Sequence, residues 1–503
     1  MNQLRAGAVL NYMVFILNVM VGLLYTPFML RMMGPSEYGL YSLVASTISY
    51  LTILDFGLGN AVIRYTAKFR AEGKHTEQYE MFGMFFIIYL IIGIVSLFAG
   101  SALYFNVDAM FGDTMTSAEL SKARIMMLFL IFNLAFTFPM SIFGSIITAY
   151  ERFVFPRIVN ISRIVLNTVV MICLLKMGYR AIAMVIVQTV FNVLSLLLNY
   201  IYCKKKLQIK IYFRGFKWAL LKEVAIYSFW IFLNVIMDKI YWSSGQFILG
   251  VTVGTTAVAI FAVAIQLQHM YMTFATAISA VFLPRITGMV VKSNDKKEIS
   301  DIFIKTGRIQ YVIMSLILSG FIVFGKKFIQ LWAGEEYSNS YYITLLFFIC
   351  MLPDLIQNIG IVIMQARNQV KFRAILGVLV AIISLFLQLI LSRHYNEIGC
   401  AIAIATMFFI GQGVIMNIYY SRKQGLNIVY FWKEICKMSI IPVLLTVASM
   451  FILKSYSIDG WGELFVSIIT FCAVYIPLFW IFSMNKYEKN LIIAPINKIL
   501  RRA

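Results

Sequence analysis

The chain has 503 residues, of which 61% are hydrophobic and only 13% are charged. A soluble domain is nearer half apolar and a quarter charged, so this composition excludes an ordinary soluble protein and predicts a polytopic membrane protein. The formal net charge of +21 would suit a nucleic-acid partner. However, the basic residues lie in short segments between long apolar runs, and no nucleic-acid-binding module is recognisable, so such a partner is excluded.

The apolar runs predict an all-α membrane protein with fourteen transmembrane helices. A helix needs ~20 apolar residues to cross a hydrocarbon core of ~30 Å. The first run is too long for the core of a signal peptide, so it is predicted to be an uncleaved span. The predicted spans are residues 8–31, 40–62, 82–105, 125–149, 158–176, 181–202, 224–245, 257–282, 308–325, 341–364, 374–392, 398–420, 438–455 and 463–483.

Lysine and arginine concentrate in alternate short loops. Because cytoplasmic loops carry the excess of basic residues, both termini are predicted to lie in the cytoplasm. Two basic segments, Lys204–Lys222 and the tail from Lys486, also carry apolar and aromatic residues. They are predicted to be amphipathic helices on the anionic inner leaflet, the alternative being a solvated linker and a frayed tail.

An internal repeat occurs at an offset of 216 residues. Leu17-Asn18-Val19 recurs as Leu233-Asn234-Val235, Tyr25 as Tyr241 and Gly34 as Gly250. An offset of six spans predicts two parallel six-helix lobes with the transport path between them. The predicted domains are an N-terminal lobe (1–205), an amphipathic linker with a C-terminal lobe (206–421), and two additional helices with a basic tail (422–503).

Polar residues follow one face of the first span and of its repeat mate. Asn11, Asn18 and Tyr25 are seven residues apart, and their repeat mates are Tyr227, Asn234 and Tyr241, with Asp238 joining that stripe four residues after Asn234. Polar side chains in a span usually face the bundle interior or a wet cavity, so these two spans are predicted to line the cavity. The alternative is that they only form hydrogen bonds between neighbouring helices.

Few ionisable residues lie within the predicted spans, and each is a candidate functional residue. They are Asp55, Arg163, Asp238, Lys239 and Asp354, with Arg64 at the inner edge of the second span. Asp55 and Arg64 lie about half a turn out of phase on a regular helix, so they are not expected to pair unless Gly57 and Gly59 break it. Anchoring at the head groups is the alternative role for Arg64 and Arg163.

The sequence has no catalytic or metal-binding constellation. The three histidines, His75, His269 and His394, are scattered without metal-ligand spacing. We therefore predict that the protein is not an enzyme and holds no cofactor, apart from a coupling ion (H⁺ or Na⁺) whose use the sequence leaves open.

Two stretches carry a resemblance to a known family. They are Gly34-Pro35-Ser36-Glu37-Tyr38-Gly39-Leu40-Tyr41 and Asp55-Phe56-Gly57-Leu58-Gly59, followed by Ile63-Arg64-Tyr65. These residues resemble the bacterial oligosaccharide flippase family of polysaccharide biosynthesis, within the multidrug/oligosaccharidyl-lipid/polysaccharide exporter superfamily. The span count and the paired lobes extend the similarity over the whole chain.

The resemblance implies a MATE-like flippase that moves a polyprenyl-diphosphate-linked oligosaccharide from the inner to the outer leaflet by alternating access. It implies a cationic cavity, for which Arg64, Lys239, Arg163 and Arg31 are candidates, while Asp55 and Asp238 are candidates for gating or ion coupling. The implied partners are the lipid-linked cargo, membrane lipids and polysaccharide assembly enzymes. The alternatives are an ion-coupled multidrug or cation exporter that uses Asp238, and a non-transporting scaffold in envelope assembly.

Overall fold

The computed structural model describes residues 3–215, 218–292, 295–367, 369–454, 458–491 and 493. Within these residues all the regular structure is helical, and eleven helical runs are long and apolar enough to cross a membrane. The prediction of an all-α polytopic membrane protein is therefore confirmed. Two runs, Val9–Ala71 with 63 residues and Lys371–Gln424 with 54, are each long enough for two spans. A total of fourteen transmembrane helices is compatible with these run lengths and stays a prediction.

Up to residue 292 the helices follow one another with mostly short connections. They are α1 (Gln3–Ser49), a 3₁₀ turn (Tyr50–Asp55), α2 (Leu58–Ala71), α3 (His75–Phe105), α4 (Val107–Phe111), α5 (Ser117–Ala149), α6 (Val154–Lys176), α7 (Ala181–Lys205), α8 (Trp218–Thr252) and α9 (Thr255–Lys292). A capping box starts α5, in which Thr116 and Glu119 satisfy each other's backbone N–H groups.

The remaining elements run from residue 296 to residue 482. They are α10 (Lys296–Trp332), a 3₁₀ turn (Glu335–Tyr337), α11 (Asn339–Ile356), α12 (Ile359–Ala366), α13 (Lys371–Phe408), a π-helical stretch (Phe409–Ile415), α14 (Met416–Tyr419), a second π-helical stretch (Tyr420–Gln424), α15 (Ile428–Lys454) and α16 (Trp461–Phe482). Pro139 in α5 and Pro353 in α11 lie inside their helices, where each removes one backbone donor.

The chain forms two compact units. The first unit comprises Met1–Ala262 and Leu385–Cys400, and the second comprises Val263–Ser384 and Ala401–Ala503. In the first unit, aromatic and aliphatic side chains of α2, α3 and α5 form a continuous core that includes Phe82, Phe85, Ile142, Phe143 and Ile146. The lobe boundaries at residues 205 and 421 stay a prediction.

Glycines with positive φ mark the turns between consecutive spans. Gly34 interrupts α1 with φ 77°, as expected for the Gly-Pro turn. Gly250, which the repeat aligns with Gly34, is helical, and Gly254 makes the corresponding turn with φ 126°. Gly250 instead gives room to Leu43, whose Cδ1 would lie 2.5 Å from a Cβ at that position.

The predicted amphipathic helix between Lys204 and Lys222 is wrong for its central residues. Residues 206–215 are not helical. Leu207, Ile209 and Ile211 pack on the core of the first unit, and the Tyr212 N–H donates to the Tyr79 carbonyl at 3.1 Å. These three residues therefore pack on the protein, whereas Phe213 and Trp218 are 64% and 73% exposed. The tail from Lys486 is helical over residues 486–491, and residues 494–503 lie outside the described part of the chain.

Candidate functional site

The segment after Gly34 joins α1 to two other helices. The Ser36 hydroxyl donates to Glu119 of α5 at 2.7 Å. Glu37 is only 7% exposed, forms an ion pair with Lys122 of α5 and accepts the backbone N–H of Ala181, where α7 begins. The polar residues of this motif thus hold helix ends together in the first unit.

The same segment also contacts the start of α9. A Cβ at Gly39 would collide with the Thr255 carbonyl oxygen, so only glycine permits this close backbone approach. The Thr255 hydroxyl donates to Glu119 at 2.9 Å, on the carboxylate oxygen that also accepts from Ser36. Glu119 of α5 therefore accepts hydrogen bonds from both α1 and α9. We call this contact of the three helices, formed by Ser36, Gly39, Glu119 and Thr255, the joint at Glu119.

Replacing Gly39 by alanine is expected to lower the thermal midpoint of the detergent-solubilised protein, because the backbone of α1 or α9 must move. Overpacking of this kind costs about 1–3 kcal/mol. The matched control is Gly462→Ala in α16, where no atom lies within 4 Å of the added methyl group. Equal midpoints for both variants would show that the joint is not closely packed.

Asp55 lies at a break in the second span. The 3₁₀ turn ends at Asp55, Phe56 and Gly57 adopt left-handed conformations with φ 50° and 68°, and α2 begins at Leu58. The break needed to change the phase of Asp55 and Arg64 is therefore present. Asp55 accepts hydrogen bonds from the Tyr89 hydroxyl and the Gly57 N–H. A non-glycine residue in the left-handed region is uncommon and often marks a functional site.

Arg64 lies one and a half turns into α2 and is exposed. Its guanidinium carbon is 5.8 Å from the ring centroid of Tyr65, which is buried. This position fits either a ligand contact or an anchor at the head groups.

Arg163 lies at the centre of a polar cluster near the middle of three helices. Its guanidinium donates to Asn160 Oδ1 at 3.0 Å on α6 and to Asn192 Oδ1 at 3.3 Å on α7. The amide of Asn192 in turn donates to Asn133 Oδ1 at 2.7 Å and to Thr137 Oγ1 at 2.8 Å, both on α5. These two bonds fix the orientation of Asn192, so that its carbonyl oxygen faces the arginine.

The Arg163 cluster holds a positive charge among neutral amides. Within the described residues, no carboxylate lies within ion-pair distance of Arg163. A guanidinium has five N–H donors, of which the two amides take two. The side chain is only partly buried, and its remaining N–H groups have the chemistry to bind an anionic or hydroxyl-bearing ligand.

The other predicted residues of the first unit are spread along α1 and α8. Asn18 and Arg31 are exposed on α1, whereas Tyr25 is half-buried. On α8, Asp238 is exposed and Asn234 and Lys239 are half-buried. Tyr241 is fully buried and therefore belongs to the interior of the unit. Among the described residues, none of these seven is hydrogen-bonded to Arg163.

Asp354 occupies a different environment in the second unit. It follows Pro353 near the end of α11, is half-buried, and is attracted electrostatically to Arg373 of α13. Tyr420, which is 2% exposed, interacts electrostatically with both Asp354 and Arg373. Asp354 is thus countered by a basic residue.

An apolar cavity of about 300 Å³ lies in the second unit between α9, α10, α11 and α16. Its walls are almost entirely apolar and include Tyr271, Phe321, Phe324, Phe348 and Phe471. Helix α16 belongs to the additional helices that follow the predicted repeat. A cavity of this chemistry suits a hydrocarbon chain.

Sequence reasoning missed the partners of the predicted ionisable residues, most of which are neutral. These are Asn133, Thr137, Asn160 and Asn192 around Arg163, Tyr89 at Asp55, and Arg373 and Tyr420 at Asp354. Asn160 was detectable, because it lies three residues before Arg163 on the same helix face. The other partners come from other helices, so their contacts have no signal in sequence spacing.

The fold is shared with membrane flippases and exporters. A solved structure described as the lipid II flippase MurJ in an inward closed conformation matches with a TM-score of 0.72 at 17% identity, covering 97% of this chain and 99% of that one. An inward-facing multidrug resistance MATE family transporter of the MOP superfamily matches with a TM-score of 0.63 at 14% identity, covering 84% and 96%. The prediction of a MATE-like fold is confirmed.

The family follows from the sequence. The model of the polysaccharide biosynthesis protein family matches residues 4–290, more than half of the chain, and the chain belongs to this family. A relative described as uncharacterized membrane protein EpsK, from Bacillus subtilis strain 168, is 20% identical over 497 residues, which cover 97% of both chains.

Proposed function

We propose that this protein is a flippase that carries a polyprenyl-diphosphate-linked oligosaccharide from the inner to the outer leaflet of the bacterial cytoplasmic membrane, for surface polysaccharide assembly. The observation that carries the proposal is the Arg163 cluster, a positive charge held by amides near the middle of α5, α6 and α7. The protein acts as a transporter rather than an enzyme, and the concentration of basic residues favours cytoplasmic termini.

The chemistry of the cluster suits the head group of this cargo. A sugar diphosphate cannot cross hydrocarbon unaided, because removing its charge from water costs tens of kcal/mol in the idealised limit. A guanidinium binds phosphate oxygens through paired N–H donors, and asparagine amides both donate to and accept from sugar hydroxyls. In this role Arg163 holds the diphosphate while neighbouring amides contact the first sugar.

The apolar cavity of the second unit suits the other end of the cargo. A polyprenyl chain is a hydrocarbon, and burying it against Phe321, Phe324 and Phe471 keeps it out of water while the head group moves. The contribution of α16 to this cavity gives the additional helices a role in holding lipid.

The helix breaks and the joint at Glu119 support alternating access. The Phe56–Gly57 break allows segments of one span to move separately, and the Gly34 turn allows the first two predicted spans to move relative to each other. The joint at Glu119 lies at the ends of the helices that are predicted to face outside, and it links α1 and α5 to α9. Release of cargo to the outer leaflet then requires these contacts to separate.

The direct test is leaflet transfer in vesicles that contain only the purified protein. A fluorescent polyprenyl-diphosphate sugar placed in one leaflet should reach the other faster than in empty vesicles. Equal rates would contradict the proposal. Export of a cationic drug that disappears in Asp238→Asn would instead favour the ion-coupled exporter.

Replacing Arg64 by alanine is expected to slow leaflet transfer without loss of membrane insertion, because the variant removes an exposed charge near the predicted cytoplasmic entrance. The measurements are the initial transfer rate and the amount of protein in the membrane. The matched control is Lys68→Ala, one turn further along α2. A wild-type transfer rate in Arg64→Ala would show that Arg64 does not act on the cargo and only anchors the helix at the lipid head groups.

A further inference from the structure

A second cavity, of about 500 Å³, lies in the second unit where α10 and α15 begin. It is separate from the apolar cavity: no residue is shared between their walls. Its chemistry is mixed, with two lysines and one aspartate among its lining residues. Neither the proposed transport nor the family resemblance assigns it a role.

The cationic side of this cavity is held in place by specific contacts. Lys296 and Lys297 form the first turn of α10. The Lys296 side chain lies over Gly425, and its Cδ would be 2.9 Å from a Cβ there. Gly425 has a positive φ of 69°, so its backbone conformation also favours glycine. The lysine stem is thus packed against the loop that leads to α15.

Two capped helix N-termini face the same region. Asp295 accepts the Lys297 N–H at 2.9 Å, and Asn427 accepts the Tyr430 N–H at 3.0 Å. Ser300 is 5% exposed, and its oxygen accepts the Asn427 N–H at 2.8 Å. No described group accepts the Ser300 hydroxyl proton, so this buried side chain has a donor available on the cavity wall.

The cavity wall furthest along α10 is apolar. Ile304 lies two turns after Lys296 on α10, towards the predicted span at residues 308–325, and the Tyr430 ring forms part of another wall. The cavity therefore passes from cationic to apolar along the direction in which α10 enters the membrane. This order matches a phospholipid at the level of its head group, and basic pockets between transmembrane helices bind anionic head groups.

We propose that this cavity binds an anionic phospholipid with a hydroxyl-bearing head group, such as phosphatidylglycerol. Lys296 and Lys297 bind the phosphate, and the Ser300 hydroxyl donates to one of its oxygens. Ile304 and Tyr430 contact the glycerol backbone and the first methylenes. Asp301, the one carboxylate among the described wall residues, accepts a hydroxyl of the head group and selects against phosphate groups without one.

The test is a binding titration of the full-length protein in neutral detergent, followed by native mass spectrometry. The probes are short-chain phosphatidylglycerol, phosphatidic acid, phosphatidylcholine and inorganic phosphate. Phosphatidylglycerol should bind best. The double variant Lys296→Gln/Lys297→Gln should weaken it roughly tenfold or more. The matched control, Lys326→Gln/Lys327→Gln, makes the same charge change near the other end of α10 and should leave binding unchanged.

Asp301→Asn keeps the proposal testable if the double lysine variant does not fold. It should strengthen binding of phosphatidic acid by several-fold and reduce the preference for phosphatidylglycerol. Equal binding of phosphatidylcholine would overturn the proposal, as would binding of inorganic phosphate as tight as that of the lipid, which would indicate a soluble anion. Because the readout is binding rather than transfer, failure here is distinguishable from failure of the proposed flippase function.

Discussion

Replacing Arg308 by methionine is expected to lower the free energy of unfolding by about 3–5 kcal/mol, because it leaves the buried Glu488 carboxylate without its positive partner and Glu434 with only the exposed Lys437. Arg308 is 5% exposed on α10. It donates to Glu434 of α15 at 2.7 Å and, through two nitrogens, to Glu488 at 2.5 and 3.1 Å. It also donates to the Ser483 carbonyl at 3.3 Å. The measurement is thermal or denaturant unfolding in detergent.

Two comparisons show whether the loss comes from the unpaired carboxylates. Lys437→Met removes the other partner of Glu434, but Lys437 has a side-chain exposure of 60%, so the expected loss is about 0–1 kcal/mol. The triple variant Arg308→Met/Glu434→Gln/Glu488→Gln should recover much of the lost stability, since no buried charge remains unpaired. If Arg308→Met is as stable as the wild type, the network does not hold α15 and the tail to α10.

Much of the fold follows from one-dimensional patterns. Long apolar runs predict helices because backbone groups in lipid must be satisfied within the segment. The Gly34 turn and the break before Gly59 were visible as glycines beside proline or a carboxylate. The repeat does not locate the second turn, for a physical reason: it aligns Gly34 with a glycine that makes room for Leu43, whereas the turn itself needs the positive φ of Gly254.

The candidate site was predictable only in part. A carboxylate or a guanidinium within an apolar run stands out, so Arg163 and Asp55 could be selected from sequence. Their partners are neutral and come from helices far along the chain, as Asn133 and Asn192 do for Arg163. Arg308 looked like an ordinary basic residue at a cytoplasmic helix end, because its partners lie 126 and 180 positions away. Tertiary packing sets these contacts.

Replacing Arg163 by glutamine is expected to slow leaflet transfer of the polyprenyl-diphosphate sugar by about ten- to a hundredfold, because a charge-assisted hydrogen bond contributes about 1.5–3 kcal/mol. Glutamine keeps part of the length and one amide donor group but removes the charge. The initial rate is measured in vesicles, with protein amount and orientation determined in each preparation. Arg163→Lys should recover part of the rate, since it restores the charge without the paired donors.

A second variant, Asn192→Asp, tests the same role. In it a carboxylate oxygen replaces the amide oxygen that accepts from Arg163 at 3.3 Å. This variant keeps the arginine and adds an ion pair, so the positive charge is no longer available to a diphosphate. It also removes the N–H groups that donate to Asn133 and Thr137, so the amount and thermal midpoint of the folded protein are measured alongside the transfer rate. Transfer should therefore fall as in Arg163→Gln. Arg157→Gln, near the start of α6, is the matched charge control and should transfer normally. Normal transfer in Asn192→Asp would show that Arg163 stabilises the helices without contacting the cargo.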